Sequence, residues 1–141
     1  MKTTTIEQTV AFDATPREVY AAYVEAKRHA AFTGAKASLQ AKPGGMMSAW
    51  DGYVSGRMLL LVPGKRIVQT WKSMSWPKGA AESILDLRLR PKGKKTELTM
   101  VHAGIPAQPA SLAKGFTTGW HTSYWKPLEA YLKKRARTKR G

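Results

Sequence analysis

Between residues 43 and 93 the chain is interrupted five times by turn-forming groups: Pro43-Gly44-Gly45, Asp51-Gly52, Pro63-Gly64, Trp76-Pro77-Lys78-Gly79 and Pro91-Lys92-Gly93. The runs between and beside them, at 37–41, 45–50, 53–62, 66–73, 82–90 and 95–102, are short and favour extended backbone. Links this short join neighbouring strands only in the antiparallel sense, because a parallel pair needs a crossover of about a dozen residues or more. An antiparallel meander is the expected frame. In its later strands one register is apolar, with Ile67 and Trp71, then Leu85, Leu87 and Leu89, then Leu98 and Met100. The other register holds Arg66, Thr70, Lys72, Asp86, Arg88 and Arg90. A sheet with one dry face requires a cover.

The two ends of the chain supply the cover. Residues 3–12 alternate, with Ile6, Gln8, Val10 and Phe12 on one side, and read as a first strand. Thr15, Pro16 and Glu18 then form a capping-box pattern, so a helix begins there with Val19, Tyr20, Tyr23 and Val24 as its apolar stripe. A second short helix is expected over 25–32, ending before Gly34. After the loop 104–110, Leu112, Phe116, Trp120, Tyr124, Leu128, Tyr131 and Leu132 recur at spacings of three and four, which predicts a helix from 111 to 134. Pro127 falls inside that pattern and should bend or divide it. One strand, two short helices, six strands and a long helix make an α+β, helix-grip arrangement, a curved antiparallel sheet wrapped around the last helix.

With 141 residues, 43% of them hydrophobic, the chain has the size of one domain with a real core. We place that domain at 1–134 and expect 135–141 to be a disordered basic tail. The formal net charge is +15, and six of the 24 basic residues fall in the last nine positions. Residues 1–132 are still +9, a field that favours encounters with anionic surfaces without choosing among them. The start of the chain has no apolar stretch of signal-peptide length, and no run approaches the ~20 apolar residues of a membrane span. A cytoplasmic protein, monomer or homodimer, is expected.

Cysteine is absent, which excludes disulfides and thiolate chemistry. His29, His102 and His121 stand in separate elements without metal-ligand spacing, so neither a metal nor another cofactor is expected. The nine acidic residues offer no acid–base pair, and no serine sits in a nucleophile elbow. Gly64-Lys65 and Gly93-Lys94-Lys95-Thr96 lack the full phosphate-loop frame and read as turns. Nucleic-acid binding would need exposed aromatics in a basic groove, whereas Trp71 falls in the dry register. His102 closes the inward series Leu98, Met100, His102, where it either satisfies backbone groups or meets a polar ligand head.

Several phrases resemble the C-terminal domain of the activators of the heat-shock protein ninety ATPase, within the START-like or Bet v 1-like superfamily. They are Pro43-Gly44-Gly45, the run Asp51-Gly52-Tyr53-Val54-Ser55-Gly56, the segment 61–71, Ser75-Trp76-Pro77-Lys78-Gly79, Thr96-Glu97-Leu98-Thr99, Gly104-Ile105-Pro106 and Gly119-Trp120. The resemblance spans about residues 4–132. It implies a non-catalytic domain that holds an apolar small molecule between sheet and helix. Its alternatives are a module contacting an acidic chaperone ATPase, or a cyclase- or dehydratase-type enzyme built around His102.

The cavity so implied would be lined by Trp50, Met58, Trp71, Leu85, Leu87, Leu98, Met100, Phe116, Trp120 and Tyr124, with His102 as polar contact. Plain core packing is the competing reading for each. Trp76 with Lys78 is the expected partner surface, Trp76 either capping the sheet or meeting another protein.

Overall fold

The computed structural model describes residues 1–140, except the side chains of 139 and 140. Its seven strands form one antiparallel sheet: β1 (Thr3–Phe12), β2 (Ser38–Leu39), β3 (Met46–Ala49), β4 (Val54–Val62), β5 (Arg66–Ser73), β6 (Ser83–Lys92) and β7 (Lys95–Pro106). Their spatial order is β1-β7-β6-β5-β4-β3-β2, so the meander closes by bringing the first strand against the last. That pairing explains why β7 runs beyond the expected end at His102. Thr3 and Thr4 face Pro106 and Ile105, and the register shifts between Thr4 and Thr5, beside Gly104 at φ 85°.

The helices α1 (Pro16–Val24) and α2 (Ala26–Thr33) follow β1 as the capping pattern predicts. The Thr15 hydroxyl accepts from the Glu18 amide at 3.2 Å, and the Glu18 carboxylate accepts from the Thr15 amide at 3.3 Å. Gly34 closes α2 in the left-handed region, φ 77°.

The last helical run is divided into α3 (Ala110–Gly119), a π-helical segment (Trp120–Trp125) and α4 (Lys126–Arg140). Pro127 has no amide hydrogen to extend an upstream ladder, and just before it the Lys126 amide bonds to the His121 carbonyl, five residues back. The wider turn brings Trp120, Tyr124 and Trp125 together on the buried side. α4 continues through Arg140, so the basic segment expected to be a disordered tail from 135 is helical there. Successive turns of one helix are the cheapest extension once the first turns are packed. Residue 141 lies outside the described residues.

The inner face of the sheet, α1, α2 and α4 enclose one core. Met58, Leu85, Leu87, Leu98 and Met100 lie in it with Val19, Leu128 and Leu132. Gln69 is buried at its centre, taking the Tyr23 hydroxyl at 2.5 Å and donating to the Thr70 carbonyl at 3.1 Å. Gly56 faces the same spot from β4, where an added Cβ would overlap the Thr70 carbonyl oxygen. On the outer face Asp86 bridges Arg66 and Arg88, at 2.8 and 3.3 Å, and Glu97 bridges Arg90 and Lys92. No helix among the described residues is long and apolar enough to cross a membrane.

Candidate functional site

None of the residues of α3 is buried. The helix is held off the sheet, and a cleft of about 640 Å³ opens beneath it. Among the helix's contacts, those of Phe116 and Thr117 hold its C-terminal half. Phe116 rests on Trp76, ring centroids 6.0 Å apart, and Gln8 of β1 donates to the Thr117 carbonyl at 2.9 Å. Gln8 also accepts the Trp125 indole hydrogen at 2.8 Å, which pins the π-helical segment beside it.

The inner wall is aromatic. Trp71 of β5 lies 5.0 Å from Trp120 and 6.0 Å from Tyr124, ring centre to ring centre, and Trp120 stacks on Trp125 at 5.2 Å and 18°. Trp50 enters from the turn between β3 and β4, where Trp50 and Asp51 adopt φ values of 54° and 58° ahead of Gly52. Left-handed backbone at two successive residues that carry a Cβ is costly. The Asp51 amide and carboxylate, bonded to Lys36 at 3.1 and 3.2 Å, hold the turn in place.

Behind this wall runs a chain of hydrogen bonds whose direction follows from chemistry. An indole N–H only donates, so the Trp120 Nε1–H gives its hydrogen to His102 Nδ1 at 3.3 Å. The neutral ring therefore carries its proton on Nε2 and donates to Ser83 Oγ at 2.6 Å, and Ser83 donates to the Trp71 carbonyl at 3.0 Å. A second chain starts at Tyr124, whose hydroxyl donates to His29 Nε2 at 3.1 Å, and His29 Nδ1 donates to the Tyr23 carbonyl at 2.8 Å. Burial lowers the pKa of both histidines, that of His102 to about 3, and raises the Tyr124 phenol well above its usual value. The Trp71 Nε1–H is shielded and has no partner among the described residues. At neutral pH this wall is uncharged and suits an apolar, flat or branched body.

The sequence-expected cavity residues fall into two groups. Trp50, Trp71, Phe116, Trp120 and Tyr124 line the cleft. Met58, Leu85, Leu87, Leu98 and Met100 do not, because α1 and α4 close the sheet over them into packed core. His102 is not a cleft contact either: both its nitrogens are engaged by protein, and Trp120 covers it. Trp76 is 7% exposed and caps the sheet under Phe116, so it offers no surface to a partner, while Lys78 beside it is exposed.

The sequence reading missed the small residues of the cleft. Ser111, Gly115, Gly119 and Ser123 recur every four residues beside the aromatic stripe and leave room for the cleft, and Ser73 and Ser75 continue the register of Trp71. Four-residue recurrence of small side chains next to Leu112, Phe116, Trp120 and Tyr124 was the available signal.

The buried histidines make acid a destabilising agent. The folded pKa of His102 lies near 3, below the ordinary 6.5, so between these values the unfolded chain binds the proton more readily. Its contribution is complete above about pH 6.5 and is lost on acidification, with a slope of up to ~1.4 kcal/mol per pH unit. His29 acts in the same direction. Urea unfolding at stepped pH is expected to show this decline, and His102→Gln should make it shallower.

The family described as Activator of Hsp90 ATPase homolog 1-like protein matches residues 13–133. Activator of 90 kDa heat shock protein ATPase homolog 1 from Homo sapiens is 36% identical over 118 residues, 84% of this chain and 34% of the human protein. The chain thus spans about a third of the length of the curated relatives it matches. An HSP90 activator from Plasmodium falciparum has the same fold, with a TM-score of 0.83 at 22% identity, over 92% of this chain and 96% of that one. DynU16, a putative protein in the dynemicin biosynthetic locus, shares it at a TM-score of 0.75 and 20% identity, over 92% of this chain and 47% of that one.

Proposed function

Because the chain belongs to the activator of Hsp90 ATPase homolog 1-like family, we propose that it is a non-catalytic binding module that seats an apolar small molecule in the cleft beneath α3. The observation that carries this reading is the open aromatic cleft itself, whose wall is neutral. Such a wall binds by area and shape. We place the activity in the cytoplasm.

Gly115→Leu tests the site with little risk to the fold. A Cβ at Gly115 meets nothing within 4 Å, and a leucine there fills the cleft while raising helix propensity by about 1 kcal/mol. Native mass spectrometry of protein purified from its own source is expected to retain a ligand, and the variant should lose it while melting no lower than the ligand-free parent. Repeated purification without a bound molecule, together with no thermal shift from a lipid and polyketide panel, would overturn the reading.

A second reading is favoured by the 36% identity to the human activator and by the net charge of +15. In it the domain contacts the acidic surface of an Hsp90-type ATPase. Stimulation of the chaperone's turnover should then appear at low salt and fade as salt is added. An unchanged rate at excess protein and low salt would exclude it.

A further inference from the structure

A second groove, sharing no lining residue with the cleft, runs between α2 and α4 and encloses about 610 Å³. Phe32, Pro127, Ala130 and Tyr131 give it an apolar floor, with the Phe32 and Tyr131 rings 6.3 Å apart. Lys134 and Arg135 add positive charge to its lining. The Arg135 Nε–H is shielded from solvent and has no acceptor among the described residues. A shielded donor left unpaired is unfavourable.

Charge narrows the occupant. The only acidic side chain on α4 is Glu129, which is engaged by Lys133 at 3.1 Å, while Lys134, Arg135 and Arg137 continue along the helix. A small inorganic anion would leave the aromatic floor unused. Arg135 stands one helical turn beyond Tyr131, so a ligand that pairs a carboxylate with an apolar residue one turn away matches both features. We propose that the α2–α4 groove docks an acidic amphipathic helix of a partner protein, its apolar residues on Phe32 and Tyr131 and a carboxylate on Arg135. Arginine suits this role because its fork holds a carboxylate in one geometry.

The probe is a fluorescein-labelled helical peptide with leucines along one face and glutamates on the other, titrated by anisotropy against the full chain. Arg135→Gln is expected to weaken binding about tenfold, the scale of one lost charge-assisted hydrogen bond. Thr138→Glu, an exposed change at the groove rim, should weaken it by electrostatic repulsion. Lys94→Gln, an equal loss of charge in the turn between β6 and β7, should leave it within about twofold, since a single distant surface charge is largely screened. Gly115→Leu should have no effect, which separates this site from the cleft. Equal losses in Arg135→Gln and Lys94→Gln would overturn the proposal in favour of a non-specific field. So would undiminished binding of a peptide with its leucines changed to alanine. Absence of peptide binding, with dodecanoate bound in an Arg135-dependent way, would also overturn it and assign the groove to a small amphiphile.

Discussion

Gly56→Ala is expected to lower the unfolding free energy by about 3 kcal/mol, the upper range for overpacking in a closed interior. For a chain of this size that is a fall in Tm of roughly 10 °C. The cause is steric. At Gly56 β4 passes so close to β5 that a methyl group overlaps the Thr70 carbonyl oxygen and comes within 3.2 Å of Gln69 Nε2. Relief requires moving a strand, and the Thr70 carbonyl it would move also accepts from Gln69, itself bonded to Tyr23 of α1. The damage therefore reaches the helical layer. Gly79→Ala is the control, because Gly79 has φ 85° but open space around it. It should lose only the conformational preference of glycine, about 1–2 kcal/mol. Urea unfolding distinguishes them, and equal losses would mean that close approach is not what selects glycine at 56.

Trp120→Ala should be more damaging still, at about 4 kcal/mol. The indole touches Trp71, Tyr124 and Trp125 and donates to His102, so its removal opens a cavity and orphans a buried nitrogen together. Trp120→Phe keeps most of the packing and loses the hydrogen bond, and should cost about 1–3 kcal/mol. A cost for the phenylalanine variant as large as for the alanine would place the main stabilisation in the hydrogen bond. Near-identical stability of both variants to the parent would show that the wall repacks freely.

The turn groups at 51–52, 63–64, 76–79 and 91–93 were enough to read β4 to β7, because a two-state choice between antiparallel pairing and none leaves little to tertiary context. The capping box at Thr15 and Glu18 located α1 for the same reason: donor and acceptor are three residues apart. Reading failed where distant residues decide. The apolar run 58–62 does not itself say which register faces inward; that follows from a register shift between Met58 and Leu60 in the pairing with β5. Pro127 announced a break in the last helix, but the six-residue π-helical segment before it is placed by the need to bury Trp120, Tyr124 and Trp125 together. His102 looked available because its partners, Ser83 and Trp120, lie 19 and 18 positions away. The cleft was half legible: its aromatic side shows as a helical stripe, whereas its opening is made by what the neighbouring stripe lacks.

The chain from Trp120 through His102 and Ser83 to the Trp71 carbonyl admits one arrangement of hydrogens, since an indole begins it and a carbonyl ends it. The cleft thus has one face without alternative settings, opposite a helix attached by Phe116 and Gln8. If the cleft seats a guest as proposed, that face needs almost no ordering to receive it. The outline of such a guest would be judged against a surface that does not yield, as against the fixed jaw of a caliper.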